Sequence, residues 1–296
     1  MLREVRDLLR YHSQSTTLFA EHDVNNVYRK ALGTLEAVGF NDLRGKRVLD
    51  LGCGQRYPFA LQLAAAGATT TALDVNHVAP GRETAAFLQT LRQNGPKRAL
   101  KSTVRRAMFD GRYYRALERT SGLPLRSYAS QIQFVVADPT QATYPLPPAS
   151  LDLIVSNAVV EHVPDVPRLA VEVARLLVPG GLFYAVIHNF YSLSGGHNLE
   201  WAYPDQHPSQ RVPPWDHLRE NKYPTWVHLN RLTPEQYRET FGAVLDVVHY
   251  QAIGLDHEPD TPEGERFLTP EVAKELADYP REWLLMRSWC MVCKRR

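Results

Sequence analysis

Two hydrophobic rhythms alternate along this chain, and their alternation predicts its architecture. Leu2, Val5, Leu8 and Leu9 recur at helical spacing, and Val24 to Val38 forms a second helical stretch. Short apolar runs follow at Val48–Leu51, Thr70–Asp74, Phe134–Asp138, Leu151–Asn157 and from Leu182 to His188. Helical patterns separate them: Pro58 to Ala66, Arg82 to Gln93, and a helix entered near Glu161 and left near Leu177. Strands that alternate with helices predict an α/β fold with a parallel sheet. Further along, Thr233-Pro234-Glu235-Gln236 reads as a helix start, with Thr as N-cap, Pro first and Gln as its capping-box partner. Val244 to Tyr250 then reads as a strand, Pro270 to Ala277 as a short helix and Leu284 to Cys293 as the last strand.

Two stretches depart from the rhythm. The interval from Asp74 to Ile132 is longer than a crossover helix needs, which implies a helical insertion over residues 95–130. Arg98, Lys101, Arg105, Arg112, Arg115 and Arg119 fall on one helical stripe there; Leu100, Val104, Met108, Tyr114 and Leu117 favour another. Gly111 is expected to break the run into two helices. The basic stripe reads first as a solvated face and second as a contact for an anionic substrate or surface. The other stretch, His188 to Asn230, is crowded with Trp, Tyr, His and Pro, including Trp201, Trp215, Tyr223 and Trp226. It reads as a substrate lid over residues 190–232 that offers stacking surfaces, although the same aromatics would suit a dimer contact. Its histidines do not pair at metal-gathering spacings, so no metal is expected.

The chemistry concentrates at Val48-Leu49-Asp50-Leu51-Gly52-Cys53-Gly54-Gln55. A strand ends on a carboxylate, and Gly52 and Gly54 remove Cβ where the backbone must turn before a helix. A dinucleotide fingerprint would place a third glycine where Tyr57 stands. Asp50 would repel a pyrophosphate but suits an ammonium and a sulfonium, so the ligand implied is S-adenosylmethionine. Composition narrows the field further. The 296 residues are 44% hydrophobic and carry a formal charge of +2, which gives no general pull toward nucleic acid. No apolar run long enough to span a membrane occurs, the start lacks a signal-like apolar stretch, and three cysteines make no disulfide framework. A cytoplasmic setting is expected. Cys290 and Cys293 would face opposite sides of a strand, so that pair reads as structural.

Asp50-Leu51-Gly52-Cys53-Gly54 resembles the first motif of class I S-adenosylmethionine-dependent methyltransferases, in their small-molecule branch, and four later segments agree in order. These are Thr70–Asp74, Phe134–Asp138, Leu151–Asn157 followed by Glu161-His162-Val163, and Arg175–Leu182. The resemblance implies a Rossmann-like seven-stranded sheet, mostly parallel with an antiparallel edge strand, in one domain of residues 1–296. Its parts would be N-terminal helices (1–43), a cofactor-binding core (44–190) carrying the insertion, the lid, and a closing helix with edge strands (233–296). It also implies cofactor roles for Asp50, Gly52, Cys53 and Gly54 at the turn, and for Asp74 and Val75 at the ribose. Ala137, Asp138 and Pro139 would meet the adenine; Asn157 and Ala158 would lie by the methionine part. His162 and His188 are the candidate general bases.

Relatives that act on DNA bases or on protein arginine are disfavoured. Ser156-Asn157-Ala158-Val159 is not the run of the former, and only Glu161 could stand for the paired glutamates of the latter. What remains is O-methylation of a small-molecule, sugar or lipid-linked acceptor, with no nucleic acid partner. The alternatives are another sulfonium-nucleoside enzyme on the same fold, or a cofactor-binding protein without turnover.

Overall fold

The computed structural model describes residues 16–76, 84–138, 143–202, 204, 207–225, 227–259 and 261–296. The expected first helix at Leu2 to Leu9 and Pro139, which was expected at the adenine, lie outside them. Strands β1 (Arg47–Leu51), β2 (Thr69–Asp74), β3 (Gln133–Val136), β4 (Leu151–Asn157), β5 (Leu177–His188), β6 (Asp246–Ile253) and β7 (Ser288–Lys294) form one sheet. Their order is β3-β2-β1-β4-β5-β7-β6. β1 runs parallel to β2 and β4, and β2 runs parallel to β3. β7 is antiparallel to both neighbours and sits second from the edge, with β6 outermost. The architecture is the expected Rossmann-like sheet. By contacts the chain divides into two compact units, Met1–Val155 and Ser156–Arg296.

In the first unit, β1 has strands on both sides, so Val48, Leu49 and Leu51 are all buried and the sequence reads as an unbroken apolar run. The helix Pro58–Ala65 follows, with proline in its first turn, where a missing N–H costs nothing. Its Ala60, Leu61 and Ala64 pack against Ala20 and Val24 of the N-terminal helical segment and against Tyr113, Ala116 and Leu117 of the insertion. That segment is helical over residues 16–37, so it starts eight residues before the expected Val24, and it has a wider-wound π-helical stretch at Asp23–Tyr28.

The insertion corrects three expectations. Its break falls at Gly95 (φ 78°, ψ 169°), while Gly111 (φ −62°, ψ −37°) lies on the helical path and opens the helix Gly111–Ser121. Pro96 is the reason, because proline drives the residue before it out of the helical region. The buried face is Tyr113, Ala116 and Leu117, whereas Leu100, Val104 and Met108 are exposed. Arg112, Arg115 and Arg119 do face solvent, but Arg105 turns inward. The side chains of Arg98 and Lys101 lie outside the described ones.

In the second unit, β4 is followed by a single turn, Val160–His162, and the long helix begins only at Val166. His162 was expected inside that helix. Pro164 holds Val163 extended (φ −83°, ψ 121°), which separates the two elements. Asp165 caps the helix Val166–Leu176 by accepting from the Arg168 amide at 3.0 Å. The capping box at Thr233 and Gln236 forms as the sequence predicts, with bonds of 2.8 and 3.2 Å. β6 starts at Asp246 rather than Val244, and β7 starts at Ser288 because Arg281–Leu285 is helical. The aromatic stretch is packed in its own right: Trp201, Val212 and Trp215 are buried with Leu193, Leu276, Leu284 and Leu285. Among the described residues no helix is long and apolar enough to cross a membrane.

Candidate functional site

The glycine turn of the first unit is built as its sequence requires. Gly52 (φ 81°) and Gly54 (φ 65°) both occupy the left-handed region, which costs a residue without Cβ little. The Gly52 and Cys53 amides donate to the Leu73 carbonyl at 2.8 and 3.1 Å, and the Gly54 amide donates to Asp74 Oδ2 at 3.1 Å. Asp74 is thereby fixed at the end of β2; its Oδ1 accepts from the Asn76 amide at 2.8 Å. The Ala137 amide donates to the Asp74 carbonyl at 3.2 Å, which ties the end of β3 to the same corner. A Cβ on Gly54 would meet nothing within 4 Å, so space for a ligand lies in front of the turn. Half-buried Asp138 follows Ala137, and Val75 is exposed. Tyr57 (φ 39°, ψ 46°) holds the left-handed conformation a third glycine would supply, and its ring meets Phe134 edge-on at 4.9 Å.

Asp50 is buried, and its Oδ2 accepts from the Ala60 amide at 3.1 Å, which pins the turn to the following helix. Burial pushes its carboxyl up to about 7; the Ala60 amide opposes this and the Asp74 charge adds to it. The buried Cys53 thiol is raised far above its usual range, by burial first and then by Asp50 and Asp74.

The insertion reaches this turn directly, which pattern reading missed. Asp110 receives Arg56 Nε at 2.8 Å on one oxygen and Arg105 Nε at 3.2 Å on the other. Arg105 also donates to the Gln55 carbonyl at 3.4 Å, and the Tyr114 hydroxyl donates to the Arg56 carbonyl at 3.2 Å. The Arg56 guanidinium lies 4.4 Å from the Tyr113 ring centre, and the Tyr113 hydroxyl bonds to Asp23. The available signal was Asp110, the single acid between Arg98 and Arg115.

The second unit carries a separate polar group. Asn157 closes β4 with a buried Oδ1 that has no hydrogen-bond partner among the described residues, and the Ala158 amide (φ 54°) donates to the Val186 carbonyl at 2.8 Å. Glu161 is 3% exposed, and neither of its oxygens has a hydrogen-bond partner among the described residues. Burial pushes it up to about 8, opposed by the nearby amides of Glu161 and His188. His162 Nδ1 sits 2.9 Å from the His228 carbonyl, so it must carry the proton there and leave Nε2 with the lone pair. Burial lowers the His162 pKa, and His228 contributes in both directions.

His188 is held well below its usual range by burial, then by His197 and Arg287. His197 stands between these histidines, with ring centres 4.8 Å from His162 and 4.6 Å from His188. The sequence reading overlooked it. Its signal was Gly195-Gly196: a Cβ on Gly195 would collide with the Phe190 carbonyl, and one on Gly196 would fall 2.7 Å from the His217 ring. Only a double glycine lets the chain pass there and deliver His197. Beside the cluster, the aromatic stretch encloses a cavity of about 230 Å³, lined among others by Phe190, Gly196, Trp201, His217, Tyr223 and Arg231.

The sequence profile of the methyltransferase-domain family matches residues 21–241. No curated protein matches the chain. Among solved structures, an S-adenosylmethionine-dependent methyltransferase from Mesorhizobium loti is 20% identical, with 89% of this chain and 96% of that one covered and a TM-score of 0.48. The YcgJ protein from Bacillus subtilis is 14% identical, with 90% and 99% covered and a score of 0.45. The PH0226 protein from Pyrococcus horikoshii is 14% identical, with 91% and 92% covered and a score of 0.45.

Proposed function

The chain belongs to the class I S-adenosylmethionine-dependent methyltransferases, and we propose that it methylates a hydroxyl of a small, ring-bearing acceptor, whether free, in a sugar or lipid-linked. The observation that carries this reading is the cavity of about 230 Å³. Phe190 and Tyr223 line it with aromatic rings, while His217 and Arg231 add polar edges. Bound S-adenosylmethionine supplies an activated methyl group: a new O–CH3 bond forms, and the electron pair of the broken C–S bond returns to sulfur.

The protein's own work is alignment and proton removal. Asp74, fixed by the Gly54 amide, would accept from ribose hydroxyls, and the open face of Gly54 would admit the methionine part. Asp50 anchors the turn through Ala60, and its other oxygen would meet an ammonium. Ala137 and Asp138 would border the adenine; Asn157 and Ala158 would border the methionine end. The hydroxyl proton would pass to His162, whose Nε2 keeps a lone pair because Nδ1 faces the His228 carbonyl. His188 is the weaker base, since burial and cationic neighbours hold its pKa well below that of a free imidazole.

Two experiments test this. Calorimetry should show one binding site for S-adenosylmethionine and for its demethylated product. Incubation of a metabolite extract with methyl-labelled donor should then yield a small labelled product whose label survives mild alkali, as an ether does. Label released as methanol would indicate a carboxylate acceptor, and label on nitrogen an amine; either removes the hydroxyl assignment.

A further inference from the structure

We propose that Glu161, His188 and His197 together hold one divalent transition-metal ion of the zinc type. One ligand atom from each lies within 4.8 Å of the others. A tetrahedral ion with bonds of ~2.1 Å needs ligand atoms ~3.4 Å apart, so side-chain shifts of roughly 1 Å close the site. Two imidazoles with one carboxylate and no thiolate form a donor set that suits zinc and its neighbours, and three protein ligands leave a position for water or an acceptor oxygen.

Independent observations point to the same ligand. The Glu161 carboxyl is 97% buried, with both oxygens unpartnered, and His197 Nε2 is likewise buried and unpartnered among the described residues. Unsatisfied groups of this kind cost free energy unless something meets them. His197 also holds a left-handed backbone (φ 54°), a strain that persists where a fixed geometry is needed. Further out, the hydrogen bonds set the tautomer. Ser194 Oγ donates to Glu263 Oε2 at 2.8 Å, so it accepts from His188 Nε2 at 3.0 Å. His188 Nε2 therefore carries the proton, and Nδ1 keeps the lone pair that a metal would need. Arg287, whose charge is felt by His188 and His197, is paired with Glu263, which offsets part of its repulsion for a cation. Histidine spacing along the lid hides this site because its ligands come from three segments: the turn after β4, the end of β5 and the double-glycine loop.

The role of the ion rests on the proposed O-methylation: it would bind the acceptor's oxygen and lower the pKa of its proton before that proton leaves to His162. Binding itself is tested without donor or acceptor. Chelator-stripped protein is titrated with Zn²⁺ by calorimetry, and bound metal is counted after gel filtration. One ion per chain is expected in the wild type and in His249→Gln, a control on β6. Loss is expected in Glu161→Gln and in His197→Asn, which keeps a residue tolerant of the left-handed backbone. Ser194→Ala should weaken binding by ~10–100-fold, as lost outer hydrogen bonds do. No saturable binding by the wild type, or unchanged binding in both ligand variants, overturns the site. Should those variants misfold by circular dichroism, Co²⁺ added to the wild type decides: the intense visible bands of a four-coordinate ion are expected, and their absence overturns the site. Failure to bind S-adenosylmethionine would remove the proposed function and leave this result standing.

Discussion

Replacing Asp110 by Asn tests whether the insertion stabilises the glycine turn. The carboxylate joins Arg56 and Arg105 through bonds of 2.8 and 3.2 Å, with side chains only 10–20% exposed, so solvent screens the three charges weakly. Charge-assisted bonds contribute about 1.5–3 kcal/mol each, and removing one partner of a fully buried pair costs about 3–5 kcal/mol. Asn keeps one acceptor oxygen without the charge, and the guanidiniums retain some contact with water, so the net loss should be about 2–4 kcal/mol. Urea unfolding should show a lower midpoint at an unchanged slope. Arg105→Gln combined with Asp110→Asn should cost less than the sum of the two alone, because both remove the same contact. Donor affinity should fall as well, since Arg105 and Tyr114 hold the carbonyls of Gln55 and Arg56 just beyond Gly54. A variant within about 0.5 kcal/mol of the wild type, the scatter of ordinary surface changes, would show that the clamp contributes nothing.

Other perturbations follow from the same geometry. Asp74→Ala should weaken S-adenosylmethionine binding by about 1.5–3 kcal/mol in calorimetry; equal affinity would mean that the end of β2 does not hold the ribose. Asp50 has its folded pKa raised from 3.8 to about 7, so the folded state binds the extra proton and stability is lost as pH rises through that window. The loss is at most ~4 kcal/mol. Between pH 4 and 7 the wild type should therefore lose more stability than Asp50→Asn, and parallel curves would refute the assignment. Cys53, Cys290 and Cys293 are all buried, so an alkylating or disulfide reagent at pH 8 should find no reactive thiol until urea exposes three.

How legible each part was depended on the sequence distance between the groups involved. The turn at Gly52 and Gly54 was readable because the requirement is local: a strand must reverse into a helix within a few residues, and only glycine does so cheaply. Asp74 was readable for a related reason, as the end residue of a strand paired to β1. The insertion was readable as helix but not in its faces. Gly111 looked like the breaker, yet Pro96 has the stronger steric effect, and the shifted phase exposed Leu100, Val104 and Met108. Least legible was the cluster around His197. Glu161, His188 and His197 come from separate segments that meet only after β5 is placed and the Gly195-Gly196 loop is packed against Phe190 and His217. No periodicity along the chain records that meeting.

The position of β7 has a consequence for how the second unit opens. β5 and β6 are not neighbours, so the edge strand β6 joins the rest of the sheet only through Ser288–Lys294. Opening of the strand wedged between them would free Asp246–Ile253 as well, so the bonded amides of the edge strand should take up deuterium no later than those of Ser288–Lys294.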